Sequence, residues 1–394
     1  MFLYHPFELD SRVEREARSL VAAGYDVEVF AAAADEYAAH EVRDGYTIRR
    51  VSAEGPLTRV LGRIHDAGLP VVSRLAFRGR ALLRMRTWAR RAARAAAEHP
   101  AALLTGHDLD GFLAGIRTKR RLGAPLIYDS HELFPDFAAS GRPAYERRGW
   151  ILYESRLIRR ADMVIAVTPS RAEVMVSRYS IPTPLVIRNM PEAAGRAQEP
   201  IAGVREGLST EARVLFYSGR MQPTRGLEQA LAALALLPDC ILVVMGTGDD
   251  DYVRGLRALA DEDGVGDRLV IRPPVRPHEV VAASAGADVG IVLNRNVSLN
   301  NYLSLPNKIY EYLAAGLPVV TSDSPEMAQL VREYEVGETC DPDDSAAVAR
   351  AISAVLDDPE RYARLQANAR RAGPEMTWER ESERFLAAVR KLTA

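Results

Sequence analysis

The stretch that decides the fold of this chain is Ser304–Val320, which reads SLPNKIYEYLAAGLPVV. It predicts one short helix followed by one buried strand. Ser304 suits the N-cap, and Pro306 suits the first turn, where its missing N–H would have no partner. Gly316 is a helix stop signal, and the strand follows at 319–320.

The predicted helix has one apolar and one polar face. The apolar stripe consists of Leu305, Ile309 and Leu313. Asn307 and Glu311 lie on the other side, which is either solvated or turned toward a ligand. The preceding segment, 297–305, is uncharged and predicted to be irregular. The N–H groups at the helix start would face whatever it encloses, and they favour an anion such as a diphosphate.

These residues resemble the donor-binding segment of the family 4 glycosyltransferases (glycosyl transferases group 1), in the branch that reads LPNK-x-x-E-Y. The resemblance implies an α/β protein of the GT-B fold, in which two Rossmann-like βαβ domains have parallel sheets that face each other across a cleft. It places Glu311 on the donor ribose, with Ser304, Asn307 and Lys308 beside the donor.

One position departs from the family pattern. The family has two glutamates eight positions apart, and the first of them is replaced here by Leu303. Its role near the donor sugar would pass to Asn300, Asn301 or Ser304, or would be lost.

Length and composition favour two packed domains. The chain has 394 residues, 47% hydrophobic residues and a net charge of −2. Cys240 and Cys340 are far apart and give no sign of a disulfide framework or zinc site. No stretch suits a signal peptide or a spanning helix, so we expect a cytoplasmic protein that is soluble or peripheral at the inner face of the membrane.

Short β-rich runs alternate with helical patterns in two series, which is typical of parallel sheets. The strands of the first series are predicted at Met1–Tyr4, Val27–Ala31, Thr47–Val51, Leu103–Thr105, Leu126–Tyr128, Met163–Ala166 and Leu185–Ile187. Those of the second are predicted at Val214–Tyr217, Ile241–Met245, Leu269–Ile271, Val289–Leu293 and Val319–Thr321. A linker at 191–202 separates an acceptor-side domain, 1–190, from a donor domain, 203–376, and the resemblance implies that a last helix, 377–394, returns to the first domain.

The first helix is predicted over Arg12–Ala23. Asp10 or Ser11 suits its N-cap. Many family members carry glycines in the loop before this helix, close to substrate phosphate, but no glycine precedes Gly24 here. Capping is favoured over a direct acceptor contact for Asp10, which stays an acceptor-side candidate.

The segment Arg59–Arg94 is strongly basic. It holds ten arginines and one acid, Asp66, a formal charge of +9 in a chain whose total is −2. Leu75, Leu82, Met85 and Ala89 form a stripe opposite Arg80, Arg84 and Arg91. This basic amphipathic pattern fits a solvated face, a surface for anionic lipid, or a site for a phosphorylated acceptor. Nucleic acid is not expected, because no aromatic interleaving accompanies the charge.

His131 follows a short apolar strand in YDSHELF, which places it at the carboxyl edge of a parallel sheet, where ligands bind. No second histidine stands at the spacing of a zinc helix, which leaves a structural histidine as the alternative. The resemblance implies that His131 points at the transferred sugar, and that His107 and Asp108 lie near the acceptor. Asp108 and Asp110 form a lone DxD, which is weak as a metal motif.

The resemblance assigns two post-strand turns to the donor, the first to its phosphates and the second to its nucleotide side. Gly219, Arg220 and Arg225 follow one predicted strand, and Gly246 follows the next. Glycine permits a close backbone approach, and two cations offset the charge of a diphosphate. In the family a lysine stands where Arg225 stands here. Surface cations near a turn are the alternative.

The resemblance implies a retaining glycosyltransferase with a UDP- or GDP-linked sugar as donor substrate. The residues assigned to catalysis are His131, Glu311, Arg220 and Arg225. No cofactor and no metal are expected, and the acceptor is open: lipid-linked, phosphorylated or another small molecule. A nucleotide-sugar epimerase or a non-catalytic nucleotide-sugar sensor on the same architecture are the alternatives.

Overall fold

The chain is described by a computed structural model over residues 1–8, 10–66, 70–137, 143–193, 203–276 and 279–394. It divides into two compact units. Unit 1 comprises Met1–Pro135, Pro143–Ile187 and Ser382–Ala394, and unit 2 comprises Asp136–Arg142 and Arg188–Glu381. Most of the predicted linker, 194–202, lies outside the described residues.

Helices follow most of the strands in both units. The helices that begin in unit 1 are α1 (Ser11–Ala22), α2 (Pro56–Asp66), α3 (Pro70–Ala96), α4 (Asp108–Leu122), α5 (Ala144–Leu157) and α6 (Pro169–Tyr179). Those that begin in unit 2 are α7 (Leu227–Leu234), α8 (Asp250–Glu262), α9 (Val280–Ser284), α10 (Leu299–Tyr302), α11 (Asn307–Ala314), α12 (Pro325–Tyr334), α13 (Ser345–Leu356), α14 (Pro359–Ala372) and α15 (Trp378–Thr393). Among the described residues no helix is long and apolar enough to cross a membrane.

The strands of unit 1 are β1 (Glu28–Ala32), β2 (His40–Arg43), β3 (Tyr46–Val51), β4 (Leu104–His107), β5 (Leu126–Ser130), β6 (Met163–Ala166) and β7 (Leu185–Val186). They pair in the orders β1-β3-β2 and β4-β5-β6-β7. Phe2 forms parallel bridges with Phe30 of β1 and Gly106 of β4, and so joins the two groups. The strands β1 to β3 lie on one side of Phe2, and β4 to β7 lie on the other. Open α/β sheets bind ligands at the point where the chain crosses from one side to the other in this way.

The strands of unit 2 are β8 (Arg213–Ser218), β9 (Cys240–Met245), β10 (Leu269–Arg272), β11 (Val289–Val292), β12 (Val319–Ser322) and β13 (Gly337–Cys340). Their order is β10-β9-β8-β11-β12-β13, and every pairing is parallel. The chain order therefore changes sides between β8 and β11. Apolar clusters lie on both faces of this sheet, and Cys240 and Cys340 are free and buried.

Three strand predictions need correction. Met1–Tyr4 forms no strand beyond the bridge at Phe2. The sequence reading missed β2, which is antiparallel to β3, and it also missed β13. Both lie at sheet edges and are only partly buried, so their residues do not form the apolar runs of the central strands.

The start of α11 also differs from the prediction. Pro306 occupies the N-cap and the helix begins at Asn307, so Ser304 is not the cap. The Ser304 hydroxyl donates to the Asn301 carbonyl at 2.7 Å. The segment predicted to be irregular contains α10, where the Ser298 side chain accepts a hydrogen bond from the Asn301 N–H.

The basic segment is divided between α2 and α3. Leu82 is 39% exposed, so its place in the apolar stripe is wrong, whereas Met85 and Ala89 are buried. The side chain of Leu75 lies outside the described residues. Arg80 and Arg84 pair with Glu54 at 3.2 and 3.1 Å. Arg91 donates to the carbonyls of Ser52 and Glu54, so these three arginines hold a loop of unit 1.

Candidate functional site

Helix α1 carries charged side chains into the core of unit 1. Asp10 is its N-cap, and its Oδ1 accepts the backbone N–H groups of Arg12 and Val13 at 3.2 and 3.1 Å. The side chains of Arg12 and Glu16 are 2% and 0% exposed, with Arg12 Nε 3.1 Å from Glu16 Oε1. Since a buried guanidinium is stable only when it is paired and hydrogen-bonded, its acceptors define the centre of the site.

Asp129, in β5, supplies these acceptors. Arg12 donates from Nε to Asp129 Oδ2 at 2.9 Å and from Nη2 to Oδ1 at 2.8 Å. Its third nitrogen, Nη1, donates to the Ile187 carbonyl at 2.9 Å. Asp129 is completely buried. The two-point contact fixes the plane of the carboxylate at the carboxyl end of its strand.

Two histidines converge on the same carboxylate. His131 Nε2 lies 2.9 Å from Asp129 Oδ2, and His107 Nδ1 lies 3.3 Å from that oxygen. The two ring nitrogens are 3.1 Å apart. The His107 side chain is buried, whereas that of His131 is 17% exposed, so His131 connects the buried network with the surface.

The backbone around His131 is held from two helices. Asp108, at the start of α4, accepts through Oδ1 the N–H groups of His131 and Glu132 at 3.0 and 3.2 Å. Arg171 of α6 donates to the His131 carbonyl, and to Glu132 Oε2 at 2.8 Å. The imidazole therefore stands on a fixed turn.

Electrostatics separate the two histidines. Although burial alone would lower the pKa of His131, the Asp129 and Asp108 carboxylates raise it to about 10. Burial lowers the pKa of His107 to about 4. Burial opposes ionisation of Asp129, but Arg12 holds the pKa of its carboxyl well below the usual range. At neutral pH the cluster contains a charged His131, a neutral His107 and an ionised Asp129.

The carboxylic acids around this cluster are shifted in the other direction. Burial raises the pKa of Asp108 to about 7. Burial, followed by the Asp129 charge, raises the pKa of Glu16 well above its ordinary value. These effects favour the neutral form of Glu16, which reduces the repulsion between two adjacent buried carboxylates.

The same residues also bring together side chains of the types that bind metals. The ligand atoms of His107, Asp129 and His131 lie within 4.8 Å of one another. A metal requires deprotonated ligands, but both oxygens of Asp129 accept hydrogen bonds from Arg12 and His131 retains its proton. This donor set fits a hydrogen-bonded network better than a metal centre.

In unit 2, the loops after β8 and β9 lie backbone against backbone. The Gly219 N–H donates to the Met245 carbonyl at 2.9 Å, and the Met221 N–H donates to the Thr247 carbonyl at 2.7 Å. A Cβ at Gly246 would lie 1.9 Å from the Gly219 oxygen, so no larger residue fits there without displacing the backbone. Gly219 has a φ of +119°, which favours glycine.

Lys308 reaches from the first turn of α11 to these loops. Its Nζ lies 3.5 Å from the centroid of the Tyr217 ring, a cation–π arrangement. A Cβ at Gly219 would lie 3.3 Å from the same nitrogen. Burial and then the charge of Arg225 lower the pKa of Lys308, against an opposite effect of Glu311. These interactions place Lys308, Arg225 and Glu311 in one neighbourhood.

Arg225 connects the ends of the neighbouring strands β8 and β11, between which the strand order of unit 2 reverses. It follows β8, and its Nη1 donates to Asn294 Oδ1, after β11, at 3.2 Å. Asn294 Nδ2 in turn donates to Ser304 Oγ at 3.3 Å. The predicted Arg220 is exposed beside Gly219, and Tyr217 donates its hydroxyl to the Arg220 carbonyl at 2.7 Å.

Helix α11 is fixed against the end of β8. The buried Tyr312 hydroxyl accepts the Ser218 N–H at 2.8 Å, while Asn307 and Glu311 remain partly exposed on the other side of the helix. Leu303 is 6% exposed. The residue that replaces the family's first glutamate is thus packed into the interior.

The predicted site residues form two groups, one in each unit. Asp10, His107, Asp108 and His131 belong to unit 1, and Gly219, Arg220, Arg225, Gly246, Ser304, Asn307, Lys308 and Glu311 belong to unit 2. Sequence reasoning missed Arg12, Glu16, Asp129 and Asn294. A signal existed for the first two, since charges four residues apart beside the apolar face of α1 are placed to pair with each other.

Two protein families match adjoining parts of the chain. The model for "Glycosyltransferase Family 4" matches residues 10–189. The model for "Glycosyl transferases group 1" matches residues 203–372. The chain belongs to the family 4 glycosyltransferases. This glycosyltransferase is similar to the D-inositol 3-phosphate glycosyltransferase of Salinispora arenicola, with 29% identity over 92% of this chain and 82% of the relative.

Solved structures confirm the GT-B fold. Sucrose-phosphate synthase from Thermosynechococcus elongatus has a TM-score of 0.77 and 20% identity, over 96% of this glycosyltransferase and 92% of that chain. Anabaena HepE, solved in complex with UDP and glucose, has a TM-score of 0.72 and 15% identity over 99% of both chains. The glycosyltransferase WaaG, involved in lipopolysaccharide biosynthesis, has a TM-score of 0.63 and 16% identity over 98% of both chains.

Proposed function

We propose that this glycosyltransferase transfers a sugar from a nucleoside diphosphate sugar, UDP- or GDP-linked, to an acceptor, with retention of the anomeric configuration. The observation that carries the donor assignment is the Arg225–Asn294 contact at 3.2 Å, which lies where the chain order of unit 2 changes sides. Open α/β sheets bind nucleotides at that position.

The donor diphosphate is assigned to the surroundings of this contact. Arg220, Arg225 and Lys308 supply positive charge, and the first N–H groups of α11 have no partners within the helix. Gly219 and Gly246 keep side chains away from the approach. Glu311, one turn after Lys308, is assigned to the ribose hydroxyls.

The same groups suit the chemical step. When the bond between the sugar and the diphosphate breaks, negative charge increases on the diphosphate oxygens. Fixed cations and helix N–H groups that already point at these oxygens stabilise that charge without rearrangement. We assign Arg220 and Arg225 to this role and propose that no divalent metal is required.

The acceptor is assigned to unit 1, where His131 faces the surface from a buried network. A phosphorylated polyol is the first acceptor class to test, because a relative over 92% of this chain is named a D-inositol 3-phosphate glycosyltransferase. Asp10, His107 and Asp108 surround His131 and are assigned to the acceptor side.

The basic surface of α2 and α3 is assigned to an anionic membrane. Arg86, Arg90 and Arg94 recur every fourth residue and are exposed. The apolar side chains of Leu57 and Phe77 are 66% and 58% exposed. Exposed arginines together with exposed apolar residues suit peripheral binding to anionic lipid.

A donor and acceptor panel tests the proposed reaction. UDP- and GDP-linked sugars are each incubated with inositol phosphates, other sugar phosphates and lipid-linked acceptors, and the products are analysed by NMR. We expect nucleoside diphosphate release that depends on one acceptor class, and a product with the anomeric configuration of the donor. Inversion would contradict the retaining assignment, and acceptor-independent conversion of the sugar would show an epimerase instead.

A further inference from the structure

We infer that Asp129 is the positioning residue for His131: it holds the imidazole in one orientation and as a cation, so that His131 acts as a hydrogen-bond donor to substrate and not as a base. This inference rests on the proposed function for the identity of the substrate. The relation between the two residues is argued from their geometry and from the charges around them.

The first argument is the rigidity of the acceptor. Asp129 is fully buried, and Arg12 grips both of its oxygens at 2.8 and 2.9 Å. Arg12 is fixed in turn by the Ile187 carbonyl at 2.9 Å. This fixed carboxylate contacts His131 Nε2 at 2.9 Å, and the same oxygen lies 3.3 Å from His107 Nδ1.

The second argument concerns the two nitrogens of His131. Nε2 donates to Asp129, since an ionised carboxylate only accepts. Nδ1 lies 3.9 Å from Asp108 Oδ2, beyond hydrogen-bond distance. In an imidazolium, Nδ1 also carries a proton and can donate it to a substrate oxygen. In a neutral ring with its proton on Nε2, Nδ1 could only accept.

The third argument is the charge of the surroundings. The titratable and charged groups that face His131 come from the first loop, α1, β4, the start of α4, β5 with its following turn, and α6: His5, Asp10, Arg12, Glu16, His107, Asp108, Asp110, Asp129, Glu132 and Arg171. Arg12 opposes a second cation. Asp129 lies nearest to the imidazole and offsets that repulsion.

NMR titration of the histidine side chains tests the inference on the intact chain. The His131 signal is assigned by its absence from the His131→Gln spectrum. We expect wild-type His131 to remain protonated up to pH 9. In Asp129→Asn its midpoint should fall by at least three pH units, toward the ordinary value of about 6.5.

Glu154→Gln is the matched control. It also converts a buried carboxylate of unit 1 to an amide, but Glu154 accepts the hydroxyls of Tyr128 and Tyr179 at 2.7 and 2.6 Å. In Glu154→Gln the midpoint of the His131 titration should equal that of wild type. Should Asp129→Asn not fold, the wild-type titration alone decides, because a wild-type midpoint between pH 6 and 7 overturns the inference.

Turnover gives a second readout. For Asp129→Asn we expect kcat to be within a few-fold of wild type at pH 6 and at least ten-fold lower at pH 8, because only the variant loses its imidazolium in that interval. An equal loss of kcat at both pH values, with an unchanged His131 midpoint, would show a merely structural role. If no donor and acceptor pair gives turnover, the proposed function fails, while the NMR midpoints still support or overturn the role of Asp129.

Discussion

At the scale of single residues, each site combines a fixed backbone with a small number of charges. In unit 1 the buried Asp129 carboxylate contacts the partly exposed His131, and in unit 2 Lys308 lies beside the Gly219 loop. The sequence motifs assigned His131 and Arg225 through the turns that follow predicted strands, and Glu311 through the LPNK-x-x-E-Y pattern; these roles stay predictions. They could not predict the Arg12–Asp129 pair, whose members are 117 positions apart, because no local pattern reports such a contact.

Glu311→Ala should weaken the binding of UDP or GDP by about 1–3 kcal/mol, the loss typical of a hydrogen bond to a charged group. Isothermal titration calorimetry measures this directly. Glu333→Ala, which removes an exposed glutamate of α12, is the control and should bind like wild type. An unchanged affinity of Glu311→Ala would remove Glu311 from the donor site.

Arg220→Ala and Arg225→Ala should each reduce kcat by roughly 100- to 1,000-fold, the usual effect of losing one group that stabilises developing charge. Circular dichroism should show an intact fold in both. Arg257→Ala, an exposed arginine on α8, should retain full turnover. Wild-type kcat in either site variant would exclude that arginine from the chemical step.

At the scale of elements, the central strands were predictable and the edges were not. Strands such as β9 and β12 are buried along most of their length and read as apolar runs. The edge strand β2 reads HEVR, with alternating exposure, and gives no apolar signal. Ser304 failed as a cap prediction because a one-turn helix, α10, uses Ser298 and leaves Ser304 to the Asn301 carbonyl.

Two glycine substitutions in neighbouring elements should have opposite effects. Gly246→Ala would bring a methyl group to 1.9 Å from the Gly219 oxygen, so it should force the loops after β8 and β9 apart and weaken nucleotide binding. Gly255→Ala adds a methyl group in open space within α8 and should raise stability by about 0.5–1 kcal/mol. Calorimetry measures the nucleotide affinity of both variants, and urea unfolding measures their stability. If the two variants had the same affinity and the same stability, the packing around Gly246 and Gly255 would be described wrongly.

The basic surface of α3 predicts salt-sensitive membrane binding. The triple variant Arg86→Gln, Arg90→Gln, Arg94→Gln should lose roughly 100-fold in affinity for vesicles rich in anionic lipid at low salt, at about 1 kcal/mol per arginine. The control removes three exposed arginines of unit 2, Arg254, Arg257 and Arg364. Sedimentation with neutral and anionic vesicles measures both. If vesicle binding depends neither on salt nor on the triple substitution, the membrane assignment is wrong and this surface is only solvated.

At the scale of the whole molecule, the proposed chemistry predicts independence from divalent metals. Excess EDTA should leave wild-type turnover intact, because Arg220, Arg225, Lys308 and the start of α11 supply the charge stabilisation. Turnover is measured before and after chelation and again after adding Mg²⁺ or Mn²⁺. Loss on chelation with recovery on addition would refute the arginine-based mechanism, and Asp108 with Asp110 would be the next residues to substitute.

One helix, α15, belongs to both units: its residues up to Glu381 group with unit 2, and those from Ser382 group with unit 1. Within unit 1 the Tyr25 hydroxyl lies 3.2 Å from Thr393 Oγ1. A ribosome that adds roughly 5–20 residues per second therefore delivers this last piece of unit 1 about 10–40 seconds after Ile187. During synthesis the sheet of unit 1 therefore lacks its contacts with the end of α15 until residues 188–381 of unit 2 have been made.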